Sequence, residues 1–332
     1  VGSEISLGRT HYWQGRALQA MGQSERAQRA YARGAKHQTS FYGLLSSEVA
    51  GLPMQASLAG SALSPDWRRS RFVDSSVFKA GLLLISVDRS RYGVRFLTHL
   101  AESQSPVGMA QLGGMAEELG IPYLELMLAK RFSQYDVMLE RHFYPLSPLL
   151  VQTDGISPEL ALAIARRESE FFTGAVSGVG ALGLMQVMPR TAQEMSGKLG
   201  LRYSRSKMLK DPKFNTKIGI RYLEELLEEF GNSPVHIAAA YNAGPSRARN
   251  WTNKLGDPRL GEIDVIDWIE QIPFSETRNY VMRVTESLPN YRARLAGQVA
   301  PLNFLAELKG NYRVPPANVS PAISLRPVSR LD

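Results

Sequence analysis

Three observations predict a mainly α-helical protein with at most a tiny β element. Apolar residues recur three and four apart in residues 7–50, again in 74–140, and again from about 150 to 296, the spacing that lines one face of a helix. Start signals such as Ser157-Pro158 and stop signals such as Gly244-Pro245 bracket these stretches. The breaks between them fall where Gly, Pro and Ser concentrate, at 50–66 and at Tyr144-Pro145-Leu146-Ser147-Pro148. This punctuation divides the chain into segments 1–52, 67–145 and 150–300, with a Pro-containing tail over 301–332.

The first segment reads as paired short helices. Tyr12-Trp13-Gln14-Gly15-Arg16-Ala17-Leu18 leads to a turn at Gly22, and Ala27, Ala30 and Tyr31 follow. Trp, Leu, a Gly turn and then Ala and aromatic spacing is the pattern of a tetratricopeptide-like helical hairpin. One such unit cannot bury its own faces, so a neighbouring helix pair is expected, with further repeats upstream. Residue 1 is Val rather than Met, so a processed or truncated product is expected, its address signal missing. Phe41-Tyr42-Gly43-Leu44-Leu45 reads as hairpin packing and 50–66 as a linker. Helical periodicity then returns at Val77–Val87, Tyr92–Ala101, Val107–Leu119 and Pro122–Phe132, with Asp136–Arg141 closing the layer. No chemistry-bearing combination stands in this layer, and His99 and His142 read as ordinary histidines.

Composition narrows the function. The chain has 332 residues, 44% hydrophobic and 21% charged, an ordinary globular balance. No apolar run approaches the ~20 residues that a membrane-spanning helix needs. The absence of cysteine excludes disulfides, Cys-ligated zinc and thiol nucleophiles. The net charge of +8 is spread evenly along the chain rather than gathered into a basic arm. That argues for attraction to an acidic polymer and against nucleic acid. The five histidines show no ligand spacing and no calcium loop is present, so neither metal nor cofactor is expected.

Chemistry-bearing residues begin in the third segment. Along the helix opened by Ser157-Pro158, Leu160, Ile164 and Glu168 lie on one stripe, which ends beside Phe171 and Phe172. A carboxylate at the end of a buried stripe has a raised pKa, as a general acid near neutrality requires. The other reading is a helix-end glutamate that turns into solvent. Next comes Ser177-Gly178-Val179-Gly180-Ala181-Leu182-Gly183-Leu184-Met185-Gln186-Val187-Met188. If that run is extended, Gln186 and Met188 share a face; amide plus thioether suits an N-acetylated sugar, and a hairpin loop with a core Met is the other reading. Asn215 is placed as the cap of a helix through Ile218, Leu223 and Phe230, whose Glu224, Glu225, Glu228 and Glu229 form a solvated face. Ala238-Ala239-Ala240-Tyr241-Asn242-Ala243-Gly244-Pro245 displays Tyr241 and Asn242 at a helix terminus. Finally Tyr280 sits beside the stripe of Val281, Val284 and Leu288, in the core or with its hydroxyl in a cleft.

Glu168-Ser169, Gly180-Ala181-Leu182-Gly183-Leu184-Met185-Gln186, Ala240-Tyr241-Asn242-Ala243-Gly244 and the Tyr280 segment resemble, in content and order, the motifs of soluble lytic transglycosylases of the large periplasmic type. The resemblance implies a lysozyme-like catalytic domain over 150–300, a helical linker domain over 67–145 and, at 1–52, the remnant of a superhelical repeat domain. It implies cleavage of the β-1,4 bond between N-acetylmuramic acid and N-acetylglucosamine in peptidoglycan, leaving 1,6-anhydromuramic ends. By the same resemblance Glu168 is the acid/base, Ser169 and Ser177 support it, and Gln186 and Met188 line sugar subsites. Tyr241, Asn242 and Ala243 belong to the third motif, and Tyr280 hydrogen-bonds near Glu168. Peptidoglycan glycan strands and other cell-wall enzymes are the implied partners, with a monomer in the periplasm expected. Two departures stand out: Arg167 where a Gln commonly precedes the Glu-Ser pair, and Phe172-Thr173 where Asn-Pro is common. Ordinary glycosidases use two carboxyl groups. No second acid is expected beside Glu168, since Glu170 lies on another helix face, so one carboxyl serves as acid and then base. A goose-type-lysozyme-like muramidase and a non-catalytic glycan-binding helical scaffold are the alternative readings.

Overall fold

Proline sets the helix starts of this chain. Pro106, Pro122, Pro158, Pro189, Pro212, Pro234 and Pro245 all occupy a first-turn position, where the missing N–H goes unmissed and φ is already helical. The computed structural model describes residues 3–151 and 153–311. Within them the chain is helical without a sheet; the β content is two isolated antiparallel bridges, Val176 with Leu182 and Leu182 with Val187. The tail beyond residue 311 lies outside the described residues.

Helices Glu4–Ala20, Ser24–Gly34 and Phe41–Val49 open the chain. Ser3 and Ser40 cap the first and third by accepting from the backbone N–H of Ser6 and Gly43. The expected neighbour of this hairpin is the 150–300 segment itself. Arg9 pairs with Glu270 at 2.8 Å and Arg16 with Asp267 at 2.8 Å. The N–H of Phe41 donates to Glu286 at 2.7 Å, and the ring of Phe41 packs edge-on against Phe304 at 5.6 Å. Tyr12, Tyr31, Phe41 and Tyr42 therefore share one hydrophobic core with Leu162, Ile164, Ile237, Trp268 and Tyr291.

The 50–66 stretch is aperiodic yet not free. It makes a 3-10 turn at Ala56–Ala59 that buries Leu58. Four helices follow, Ser76–Ser86, Ser90–Ala101, Pro106–Glu118 and Pro122–Ser133, around a second core of Phe72, Phe78, Leu97, Leu112, Leu128 and Phe132. The closing helix differs from the expectation. It covers Glu140–Phe143, because the chain before it turns through Asp136 at φ 57°. His142, read as ordinary from sequence, is buried there, its Nδ1 2.9 Å from Glu125 and its Nε2 2.8 Å from Ser64. Glu117 joins them within 4.8 Å, a grouping that histidine spacing could not reveal. Arg141 holds Glu117 at 2.6 and 2.7 Å, so the cluster is a buried ionic and hydrogen-bonded knot.

From residue 158 the helices are Pro158–Ser169, Pro189–Lys198, Arg205–Lys210, Pro212–Phe230, Pro234–Ala243, Pro245–Leu255, Val265–Glu270, Ser275–Thr285, Ser287–Ala296 and Phe304–Leu308. Ser157 stands at the predicted N-cap without a side-chain bond to the helix. Asn215 is not the cap of its helix. Asp211 is, accepting from the N–H of Phe214 at 3.0 Å. The glutamates of that helix are held by cations: Glu224 and Glu225 by Arg221, Glu225 also by Lys198, and Glu229 by Arg249.

Candidate active site

The acid helix Pro158–Ser169 runs through the middle of the large core, with Leu162, Ala163, Ile164 and Ala165 fully buried. Its apolar face fixes the helix rotation and brings Glu168 out half-buried at the last turn. Helix Ser275–Thr285 crosses it. Val281 and Val284 anchor that helix in the core, and Tyr280 is thereby aimed at the acid: its phenol donates to Oε1 of Glu168 at 2.6 Å. Burial pushes the Glu168 carboxyl up to about 7; the Tyr280 bond and the charge of Arg167 work against burial, and Glu276 works with it. The Tyr280 and Tyr241 phenols are pushed up by burial first and by the neighbouring Glu168 second. All three groups are thus neutral-competent at pH 7.

The Gly-rich run after the acid helix is a set of tight turns around the buried Met185, in keeping with the hairpin-loop reading and not with the extended one. Gln186 has φ 47°, which rules out a shared strand face with Met188. Its amide nitrogen donates to the carbonyls of Ala175 at 3.0 Å and Gly183 at 2.8 Å, so the donor expected for a sugar is engaged inside the loop. Gly183 sits at φ 75°, and a Cβ there would run into the Asn215 amide and the Met208 carbonyl. Asn215 staples this loop from beneath: it accepts from the N–H of Met185 at 2.9 Å and donates to the carbonyls of Leu182 at 2.9 Å and Met208 at 3.1 Å. Sequence reading missed this role. The Asp211-Pro212 pair ahead of it is the signal that could have revealed it, since Asp as cap and Pro at the first position put Asn215 inside the first turn.

Ser169 joins acid helix to loop, its hydroxyl donating to the Leu184 carbonyl at 2.6 Å. Tyr241 does the same from helix Pro234–Ala243, donating to the Met185 carbonyl at 2.7 Å. Ser177 accepts from the N–H of Ala181 at 2.9 Å and shapes the loop tip. Met188 is exposed at the N-cap of the next helix. Asn242 accepts from the buried Thr277 hydroxyl at 2.7 Å. Together with Ala243, Arg247, Phe274 and Glu276 these two line a cavity of about 440 Å³. The structure therefore brings Glu168, Tyr280 and Tyr241 together, ties Ser169, Ser177 and Gln186 into the wall, and leaves Met188, Asn242 and Ala243 at the rim.

Two residues of this neighbourhood went unread in the sequence. Glu276, one helical turn before Tyr280, is exposed, and its charge adds weakly to the upward push on Glu168. Glu286, at the break between helices Ser275–Thr285 and Ser287–Ala296, is buried and pushed up to about 7 by desolvation, with Arg283 at 3.0 Å. Of the two departures, Arg167 is exposed and its guanidinium lies 5.9 Å from the Tyr280 ring centre. Phe172 meets Tyr123 at 5.0 Å.

A raised carboxyl with a phenol donor, at the mouth of a loop cradle, is the equipment of proton transfer to a leaving oxygen. Comparison with known proteins decides which family carries it: residues 150–259 match Transglycosylase SLT domain. Around it the chain is similar to soluble lytic murein transglycosylase of Escherichia coli K12, 44% identical over 138 residues, covering 41% of this chain and 21% of the relative. A putative soluble lytic murein transglycosylase of Haemophilus influenzae is 35% identical over 162 residues, 49% of this chain and 25% of the relative. The likeness extends beyond the SLT domain in solved structures. The 70 kDa soluble lytic transglycosylase of Escherichia coli superposes with a TM-score of 0.71 at 29% identity, over 86% of this chain and 46% of that one. An inactive mutant of lytic transglycosylase Slt from Pseudomonas aeruginosa gives 0.69 at 28%, over 89% and 47%. The chain thus spans a fifth to a quarter of these curated relatives and about half of the solved chains. The fold is the all-α, lysozyme-like one. No helix among the described residues is long and apolar enough to cross a membrane.

Proposed function

We propose that the chain cleaves the β-1,4 bond between N-acetylmuramic acid and N-acetylglucosamine in peptidoglycan and closes the muramic residue to its 1,6-anhydro form. The observation that carries this reading is Glu168, a carboxyl pushed to about 7 and held at 2.6 Å by Tyr280, inside the segment that matches the SLT domain. Near neutrality both of its protonation states are populated, which one residue needs in order to act first as acid and then as base. In the first step Glu168 gives its proton to the glycosidic oxygen, and the bond to the anomeric carbon breaks with the electron pair leaving on that oxygen. The N-acetyl carbonyl of the same sugar stabilises the cation. In the second step the Glu168 carboxylate takes the proton of the C6 hydroxyl as that oxygen bonds to the anomeric carbon. Water is not consumed and Glu168 returns protonated.

Glu276 favours a second reading to the extent that hydrolases use two carboxyl groups. It is exposed at the rim, and the interaction it has with the acid is a repulsive field. In our reading it helps to keep Glu168 protonated and takes no part in bond formation. We assign 150–300 to the catalytic domain, 67–145 to a linker domain and 1–52 to a remnant of a repeat domain, with residues 301–332 as a tail. The protein acts as a monomer in the periplasm on glycan strands, with Met188, Asn242 and Ala243 along the sugar path and Ser169, Ser177, Gln186 and Tyr241 supporting its wall. The test is product mass from purified sacculi. Anhydro ends, one water lighter than reducing ends, and their loss in Glu168→Gln are expected; reducing ends alone would replace this reading with the muramidase one.

A further inference from the structure

Immediately after the acid the backbone is strained. Glu170 and Phe171, neither of them glycine, stand consecutively at φ 55° and φ 69°. Such a conformation is strained for a residue with a Cβ and persists only where its surroundings hold it. Part of the hold is local: Phe171 is buried, and the N–H of Phe172 donates to the Ser169 carbonyl at 2.9 Å. The rest comes from the helical layer, more than thirty-five residues away in sequence. Lys130 forms an ion pair with Glu170. Tyr123, seven residues earlier on the same helix and hence on the same face, packs its ring 5.0 Å from that of Phe172. Arg91, from helix Ser90–Ala101, lies 5.5 Å from the centre of the same ring. Phe172 thus packs against two side chains of the layer that also interact with each other, and the turn it sits in begins two residues from the reactive carboxyl. A proline in this turn would fix one φ covalently; this chain has Phe172-Thr173 there and grips the aromatic ring instead.

We propose that the helical layer spanning 76–133 is a clamp on the catalytic turn, and that Phe172, held by Tyr123 and Arg91, and Glu170, held by Lys130, are positioning residues for Glu168. The inference rests on Glu168 being the acid of the proposed reaction. It gives the layer a catalytic duty besides a structural one. The clamp keeps the last turn of the acid helix in a single arrangement, so that the carboxyl stays within reach of Tyr280 in both proton transfers. A displacement of the acid by about 1 Å is enough to cost up to a hundredfold in rate.

The test uses the full chain and two readouts, amide hydrogen exchange over residues 168–175 and kcat with KM on solubilised glycan strands. Tyr123→Ala and Phe172→Ala should raise exchange in the turn about tenfold. They should lower kcat about tenfold, with KM within twofold of wild type. Tyr123→Phe keeps the ring on Phe172 and gives up only the hydroxyl contact with Arg91, so it should lie closer to wild type than to Tyr123→Ala in both readouts. Should either alanine variant fail to fold, Lys130→Met, at the half-exposed pair, should raise exchange and lower kcat about threefold. Unchanged exchange in the turn, raised exchange with unchanged kcat, or a loss of kcat in Tyr123→Phe as large as in Tyr123→Ala would each overturn the clamp. If the wild-type chain releases no glycan fragments, the proposed reaction fails, and the exchange readout still decides whether the layer holds the turn.

Discussion

Replacing Glu168 by Gln should make the protein more stable at alkaline pH and leave it nearly unchanged in acid. The folded carboxyl sits at about 7 against an ordinary 4.5. At pH 4 both folded and unfolded chains hold the proton, and the acid costs nothing. Above 4.5 the unfolded chain releases its proton while the folded chain keeps it, so stability falls by about 1.4 kcal/mol per pH unit until pH 7 and is flat beyond. The gap from 4.5 to about 7 therefore amounts to at most about 3 kcal/mol, with a smaller value expected because the residue is only half-buried and solvent screens its charge. The glutamine amide has the same shape, can still accept from Tyr280, and does not titrate. Other raised acids such as Glu286 are common to both proteins and cancel in the difference. Urea unfolding of both proteins at pH 4 and pH 8 measures it. The Gln variant should gain 1–3 kcal/mol on wild type at pH 8, by order of magnitude, and little at pH 4. An equal difference at both pH values, or a wild type that gains on the variant as pH rises, would refute a buried, raised Glu168.

Further predictions concern the frame around the acid. Tyr280→Phe removes the hydrogen bond that favours the ionised carboxyl, so the alkaline limb of the pH–rate profile should move up by roughly half to one unit. Arg167→Gln should move it in the same direction, since the guanidinium favours the carboxylate; a downward shift in either would contradict the geometry. Asn215→Ala strands the buried N–H of Met185 and the carbonyl of Met208, and leaves the Leu182 carbonyl with the N–H of Val187 as its remaining donor. It should cost about 2–4 kcal/mol in urea unfolding. Stability within 0.5 kcal/mol of wild type would show that Asn215 does not staple the loop.

What the sequence showed well is what depends on periodicity and punctuation. Val77–Val87 and Tyr92–Ala101 appear as helices within a residue or two of the expected bounds, because apolar spacing and serine starts act locally. Gly244-Pro245 ends one helix as read, and Pro245 also opens the next. What the sequence hid was set by residues far apart along the chain. The hairpin at the start finds its partner at Glu270 and Glu286, more than two hundred residues on, and no local pattern encodes that. The run Leu184-Met185-Gln186-Val187-Met188 alternates like a strand, yet Gln186 turns left-handed because Ser169, Tyr241 and Asn215 pull on the backbone of Leu184 and Met185 from three other elements. Glu276 was overlooked because it sits on a helix face one turn before Tyr280, and only the crossing of two helices brings it toward Glu168.

That crossing also explains why several motif residues face the wall and not the cleft. A carboxyl that serves as acid and then base must meet the leaving oxygen and the C6 hydroxyl in succession without moving away from either. Its position is fixed here from three sides: by Tyr280 at the carboxyl itself, by the Ser169–Leu184 bond one residue later, and by the strained turn of Glu170 and Phe171. The hydroxyls of Ser169 and Ser177 and the amide nitrogen of Gln186 are engaged with backbone groups. Their substitution should therefore lower kcat through the geometry of Glu168 before it affects sugar affinity. Met188, Asn242 and Ala243, which lie at the rim, carry the opposite expectation, an effect on KM before kcat.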